Sequence, residues 1–410
     1  MAAELGFEPR QTESESVVLP LHNSAPHGYY IIKIKSCQVF FGGLIINFKI
    51  NEKISLWEHI AGIGSAKHIV LYGMGNGADK IFDICEAKNI KISGVFASDG
   101  FVRGHFFRGY KVKKFSEIID EYKDICILTA FAARESEVIG RIYKLDADYE
   151  LYAPNFPVFG EGYPDYKFFK DNIGEVKKAY SLLSDDFSRV IFENAVNFMI
   201  SGKLKYLKNT ETPKSGAFDT LGFGGDLIYA DAGAYDGDTI LELKNYLDKK
   251  NLKIKKITAF EPDKKNFIKL EKNMAENGLL DICELHNAGV WNKKTTLLFD
   301  FKSGRNSSVC KKGQHKQTKI SAEKIDSVSK NPPDLIKYDV EGSEYEAIEG
   351  SKEIIKKYSP RLIVSLYHRR EDIFRLPLLI REINPGYKFY IRKHRYIPCW
   401  DLNLYAVPEN

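Results

Sequence analysis

Leu227-Ile-Tyr-Ala-Asp-Ala-Gly-Ala-Tyr-Asp-Gly-Asp-Thr239 is the stretch on which the reading of this chain turns. An apolar run, Leu227 to Ala230, ends in an acid. Asp231-x-Gly233-x-x-x-Gly237 follows, and Ile240 to Leu247 then repeats apolar residues at helical spacing. That succession predicts a strand, a tight glycine turn and a helix start, which together hold a nucleotide-like ligand at the carboxyl end of a parallel strand. The glycines let the backbone approach the ligand where a side chain would collide. The dinucleotide fingerprint is different, because here the leading position is a carboxylate and the glycines are four apart. A carboxylate there repels a pyrophosphate but suits a cationic or amine-bearing ligand. S-adenosylmethionine, with a sulfonium, an α-amine and no phosphate, is of that kind.

Downstream, strands and helices alternate. Lys256 to Glu261 reads as a second strand ending in an acid, followed by Pro262-Asp263. Phe267, Leu270 and Met274 mark one face of the next helix, which Gly278 closes. Glu261, at the end of that strand, is placed to accept the ribose hydroxyls of a bound adenosine. Ile282 to Val290 reads as a third strand, with Asn287-Ala288-Gly289 able to pass beside an adenine ring, and Thr295 to Phe301 as a further short strand. Lys302 to Lys319, polar and without apolar period, reads as a mobile loop over the site.

Asp334 to Glu344 is the second informative stretch. Residues two apart on a strand share a face, so Lys337, Asp339 and Glu341 point the same way, the two acids together at the carboxyl end. Adjacent carboxylates repel, so a shared proton, a cationic ligand or Lys337 must hold them. A helix burying Tyr345, Ile348, Ile354 and Ile355 follows. Arg361 to His368 is a fifth strand that delivers His368 to the same edge, where it would titrate near neutrality. Two last strands, Tyr387 to Arg392 and Leu402 to Val407, form a hairpin. The fold class is therefore α/β: a doubly wound Rossmann-like sheet over residues 171–410 with an antiparallel last hairpin, preceded by a smaller parallel α/β domain over 51–148.

That smaller domain opens with His68 to Gly73 as a strand, Gly73-Met-Gly-Asn-Gly-Ala78 as a turn and Lys80 to Lys88 as a helix. Lys91 to Ala97 and Asp124 to Thr129 are further strands, about half the number in a full dinucleotide domain. Gly73-x-Gly75-x-x-Ala78 meets a relaxed dinucleotide pattern, but Asp99 comes later than the usual ~20 residues. An NAD or nucleotide-sugar site there is the alternative functional reading, and an accessory domain that keeps the turn for structure is the plain one. Residues 149–170, rich in aromatics and Pro, read as an ordered connector. Residues 1–50 are expected to be unstructured or unassignable. Met1 to Pro26 resembles a translated reading frame beside a tRNA gene, while Gly28 to Phe48 alternates enough for a strand or two.

Composition narrows the classes. The net charge of +5 is too mild, and no basic stripe is interleaved with exposed aromatics, so no nucleic-acid partner is expected. The six scattered cysteines include no C-x-x-C pair, which argues against a disulfide framework or a zinc site and for a reducing cytoplasm. No apolar run approaches the ~20 residues of a membrane span, and no leader peptide is apparent to this reading.

Four stretches taken together resemble the FkbM family of class I S-adenosylmethionine-dependent methyltransferases. They are Asp231 to Thr239, Phe260-Glu-Pro-Asp263, Ile336 to Glu344 and Pro360 to His368. Ser343 stands where the family often has alanine, and Tyr235-Asp236 where asparagine and a small residue are commoner. The resemblance implies O-methylation of a hydroxyl on a small molecule, sugar, glycan or related natural product. It also implies that Asp231, Gly233, Ala234, Asp236 and Gly237 shape the cofactor turn and that Asp238 and Thr239 start its helix. Glu261 and Pro262 would lie at the ribose, Asn287 and Ala288 at the adenine, and Asp339 near the methyl group. The candidates for proton removal are Asp339 and His368, with Glu341 beside them. No metal is expected, although the oxygens of Asp339 and Glu341 would suit Mg²⁺ or Ca²⁺ if one were used. A nicotinamide enzyme working at Gly73 would need a catalytic Tyr/Lys or Cys/His set near that unit, and none is found. A sugar-nucleotide-binding protein with a degenerate transferase domain fits poorly with an intact set of acids at Asp231, Glu261 and Asp339.

Overall fold

Leu335–Tyr338 is buried along its whole length, as a strand must be when both faces of a parallel sheet are covered. The computed structural model describes residues 48–160, 162–300, 308–309, 317–329 and 331–409, and residues 48–410 cluster as one compact unit. The expected strand at Gly28 to Phe48, the 1–26 segment and much of the Lys302 to Lys319 loop lie outside the described residues.

Three sheets form among the described residues. The first holds β1 (His68–Tyr72), β2 (Ile92–Phe96), β3 (Phe106–Phe107), β4 (Tyr110–Lys113), β5 (Ile125–Thr129) and β6 (Glu150–Tyr152), in the order β3-β4-β2-β1-β5-β6. It is larger than the sequence suggests. A short hairpin, β3 with β4, adds to one edge, and Glu150–Tyr152, from the aromatic stretch, adds parallel to β5 on the other. At its carboxyl edge, a Cβ on Gly73 would come 2.4 Å from the Phe131 ring, and one on Gly77 2.1 Å from the Ala130 carbonyl oxygen. Both glycines are thus required by packing within the unit itself.

The main sheet holds β7 (Leu227–Ala232), β8 (Ile254–Phe260), β9 (Cys283–His286), β14 (Leu335–Tyr338), β15 (Arg361–Ser365), β16 (Tyr387–Lys393) and β17 (Leu402–Pro408). Its order is β16-β17-β15-β14-β7-β8-β9, parallel except for the last hairpin. From β7 the chain winds outward through β8 and β9, then returns to β14 on the other side. A crevice therefore opens at the carboxyl ends of β7 and β14, where ligands of doubly wound sheets bind. Helix Asp238–Asp248 buries Ile240, Leu243 and Leu247 on this sheet, and helix Lys264–Glu276 buries Leu270 and Met274 beside them. The Asp263 carboxylate caps that second helix by accepting from the Lys265 and Asn266 amides.

The third sheet differs from expectation. β10 (Gly289–Val290), β11 (Thr295–Asp300), β12 (Ser308–Val309) and β13 (Gln317–Glu323) pair in the order β10-β13-β11-β12. Ile282 to Val290 is thus two strands in two sheets, because the chain leaves the main sheet after His286 and Val290 pairs with Glu323. The end of the supposed polar loop is strand, held antiparallel to β11. The single helix expected after Glu344 is two, Glu344–Glu349 and Lys352–Tyr358, parted at Gly350, where any Cβ would lie 2.1 Å from the Trp291 carbonyl oxygen. Among the described residues, no helix is long and apolar enough to cross a membrane, and Cys85, Cys126, Cys283 and Cys399 are free thiols.

Gly233 is the tightest point of the main sheet's ligand edge. Its φ is +89°, and a Cβ there would sit 1.9 Å from the Asp339 carbonyl oxygen. Gly233→Ala should lose at least about 3 kcal/mol of stability through strain and overlap, read as a lower urea midpoint. Gly225→Ala, which meets no atom within 4 Å, should stay within about 0.5 kcal/mol. Equal midpoints for the two variants would contradict this account of the turn.

Candidate functional site

The carboxyl ends of β7, β8, β14 and β15 meet in one cavity, lined from the glycine turn by Gly233, Tyr235, Asp238 and Thr239. Glu261 and Pro262 line it from β8, and Lys337, Asp339, Glu341 and His368 from β14 and β15. Of the residues assigned in the sequence to cofactor binding or proton removal, eight therefore converge: Gly233, Asp238, Thr239, Glu261, Pro262, Asp339, Glu341 and His368.

The others support the wall from behind. Asp231 is fully enclosed. Its Oδ1 accepts from Lys337 Nζ at 3.0 Å and its Oδ2 from the Tyr229 hydroxyl at 2.9 Å. Ala234 is buried, and Gly237, at φ +89°, closes on Met274 and Leu270. The Asp236 carbonyl accepts from Asn273. Asn287 does not line the cavity; its amide donates to the carbonyls of Glu261 (2.9 Å) and Pro262 (3.3 Å), pinning the turn after β8. Ala288 is buried, and the next two residues, Gly289 and Val290, form the wall instead.

Lys337 faces two acids. Its ammonium donates to Asp231 Oδ1 and to the Gly233 carbonyl, each at 3.0 Å, and lies 3.8 Å from Asp339 Oδ2. Burial opposes its charge, but Asp231 and Asp339 outweigh burial and hold its pKa well above the usual lysine value. Burial likewise works against ionisation of Asp339. Lys337, His368 and hydrogen bonds from Ser365 Oγ (2.9 Å) and the Tyr367 hydroxyl (3.2 Å) prevail and keep its pKa low. A third of the Asp339 side chain remains open to the cavity.

Glu261 accepts one backbone N–H on each oxygen, from Tyr235 (2.9 Å) and Asp263 (2.8 Å), leaving lone pairs toward the cavity. Burial pushes its pKa up to about 7. Glu341 has left-handed backbone, φ +52°, and burial, with Asp339 nearby, pushes it up to about 8. His368 is 1% exposed. Burial disfavours its charge, yet Glu344 and Glu341 raise its pKa to about 10. At neutral pH it is an imidazolium, donating from Nδ1 to Glu344 Oε1 at 2.8 Å.

Sequence reasoning did not find the outer wall. Leu297 and Ile320 come from the third sheet, Arg134 from the loop after β5, Val158 from the aromatic stretch, and Tyr396 and Trp400 from the loop between β16 and β17. Ala133 and Ile397 bridge that last loop to the first unit, and Trp400 Nε1 donates to the Phe156 carbonyl at 3.3 Å. No local pattern marks such residues, because each is brought in by long-range packing.

The donor set fits an S-adenosyl ligand better than a dinucleotide. Asp238, Glu261, Asp339, Glu341 and Asp401 bring carboxylates to the cavity wall, the Lys337 ammonium is already hydrogen-bonded to Asp231 and the Gly233 carbonyl, and the glycine turn keeps the strand-end backbone bare. Fold and site together define a methyltransferase-type α/β domain. Residues 231–396 match the family model described as Methyltransferase FkbM domain. The chain thus carries an FkbM-family methyltransferase domain. A structure of methyltransferase FkbM from Methylobacillus flagellatus KT shares the fold over 86% of this chain and 94% of its own, with 19% identity and a TM-score of 0.66. An rRNA methylase from Streptococcus thermophilus (15% identity, 47% of this chain and 95% of its own, TM-score 0.31) is also similar. So is a ribosomal protein L11 methylase from Lactobacillus delbrueckii subsp. bulgaricus (15% identity, 48% and 77%, TM-score 0.28). No curated protein sequence matches the chain.

The electrostatics fix a sign for the pH dependence of stability. The His368 pKa is raised from 6.5 to about 10, so its contribution is complete below pH 6.5 and is lost as pH rises toward 10. Glu261 and Glu341, raised from 4.5 to about 7 and about 8, act in the same direction, because the fold favours their protonated forms. The melting temperature, measured in buffer containing a chelator, should fall from pH 6.5 to pH 10, and His368→Gln should flatten that fall. Parallel curves for the two proteins would contradict the assignment.

Proposed function

We propose that this protein transfers the methyl group of S-adenosylmethionine to a hydroxyl of a sugar, glycan or related natural product. The observation that carries the proposal is the convergence, in one cavity, of a glycine turn, a strand-end carboxylate with free lone pairs (Glu261) and a second, ionised carboxylate (Asp339). Each stands at the carboxyl end of a neighbouring strand.

In this reading the bare backbone at Gly233 and Gly237 receives the cofactor, with Asp238 and Thr239 at the helix start, and Glu261 accepts the ribose hydroxyls. When bound, S-adenosylmethionine supplies an electrophilic methyl on a sulfonium that departs as a neutral thioether. Asp339 accepts the hydrogen bond of the acceptor hydroxyl, aligns its oxygen and takes its proton as the carbon–oxygen bond forms, a role worth roughly 10²–10⁴-fold. His368, protonated at neutral pH, serves Asp339 as a neighbouring cation and is a poor proton acceptor. The acceptor would enter between Arg134, Tyr396 and Trp400 on one side and Tyr367 on the other. The Gly73 turn is assigned a structural role, since Phe131 and Ala130 occupy the space beside Gly73 and Gly77.

Calorimetric titration of S-adenosylhomocysteine checks the cofactor half. The wild type should bind with a micromolar constant, and Glu261→Gln should bind roughly 10- to 100-fold more weakly, the loss of hydrogen bonds to a charged acceptor. Unchanged affinity in the variant, or binding of NAD in place of S-adenosylhomocysteine, would refute the reading.

A further inference from the structure

His368 is held as a metal-ligating imidazole is held. Its ring is 1% exposed, and Nδ1 faces Glu344 Oε1 at 2.8 Å. That oxygen also accepts the Val340 N–H at 2.8 Å, so carboxylate and ring orientation are both fixed. The other nitrogen, Nε2, makes no hydrogen bond among the described residues. It stands 3.5 Å from Asp339 Oδ1 and 3.6 Å from Glu341 Oε2, in the wall of the cavity. Ligand atoms ~2.1 Å from one cation and at right angles lie about 3 Å apart. The two separations from Nε2 are longer than that, so the side chains would close on the ion as it binds. Separately, one donor atom from each of Asp339, Glu344 and His368 falls within 4.8 Å of the others. Glu344 Oε2 is buried without a partner.

Charge argues the same way. Asp339, Glu341 and Glu344 all lie within 4 Å of one imidazole, and among them Asp339 alone also has Lys337 within that distance.

We propose that Asp339, Glu341 and His368 Nε2 bind a divalent cation, with Glu344 as the carboxylate that orients the imidazole. Two carboxylates suit Mg²⁺, Ca²⁺ and Mn²⁺ and an imidazole suits later first-row ions, so Mn²⁺ lies in the overlap. The carboxylate–histidine contact behind the ring is the arrangement that fixes ligand tautomer and raises basicity. The inference deepens the proposed function. The cation would hold the acceptor oxygen and lower the pKa of its hydroxyl, whose proton would still pass to an Asp339 oxygen.

The test is a Mn²⁺ titration followed by electron paramagnetic resonance on chelator-treated protein saturated with S-adenosylhomocysteine. Calorimetry on the same samples gives the binding of that cofactor product. Wild type should quench the free-ion signal at one Mn²⁺ per chain. Glu341→Gln and His368→Gln should abolish this while still binding S-adenosylhomocysteine, and Glu344→Gln should weaken it roughly 10- to 100-fold. Wild type that binds S-adenosylhomocysteine but no Mn²⁺ overturns the metal site and leaves the cofactor reading standing. Mn²⁺ binding without S-adenosylhomocysteine does the reverse. Equal Mn²⁺ binding by wild type, Glu341→Gln and His368→Gln places the ion elsewhere and overturns the proposal.

Discussion

An ammonium group buried in the middle of a parallel sheet has to be matched by charge. Lys337 sits on the strand between β7 and β15, where an apolar residue would ordinarily pack, and Asp231 answers it from β7 at 3.0 Å. Removing either partner would leave a charge enclosed without compensation, at a cost of about 3–5 kcal/mol. The same ammonium holds the Gly233 carbonyl and reaches toward Asp339, tying the glycine turn of one strand to the acid of its neighbour. The crevice at the point where strand order reverses is therefore fixed electrostatically as well as by packing.

From that contact outward, each cavity residue has a distinct charge state imposed by its surroundings. Asp339, facing Lys337 and His368 and receiving two hydroxyl hydrogen bonds, stays ionised. Glu341 and Glu261, without a neighbouring ammonium of their own, are raised by burial. His368, enclosed by acids, is held as a cation. Three carboxylates in one cavity thus differ in protonation at neutral pH, the kind of separation that divides roles among chemically similar groups.

Much of the main sheet was legible from the chain. Leu227 to Thr239, Lys256 to Glu261 and Asp334 to Asp339 each end an apolar run in an acid, and such runs have few other solutions than a parallel strand. What misled was role. Asp231 reads as a ligand carboxylate at the head of a glycine turn, yet its partner lies over a hundred residues away, and only the paired strands reveal it. His368 reads as a titrating base because no local pattern announces Glu344 and Asp339 around it. Of the third sheet only β11 was legible, as the strand read at Thr295 to Phe301, since β10 and β12 are two residues long and β13 begins inside the stretch read as a loop. The outer wall, from Arg134 to Trp400, is assembled by long-range packing and leaves no periodic trace.

The claim on which the rest stands is that the carboxyl edge of the seven-stranded sheet holds an S-adenosyl cofactor. A crystal structure of the protein grown with S-adenosylhomocysteine tests it most directly. The account places the ribose against Glu261, the base beside the Gly289–Val290 wall and the sulfur toward Asp339. The ligand lying at the Gly73 turn, or on the main sheet with its ribose away from Glu261, would contradict it.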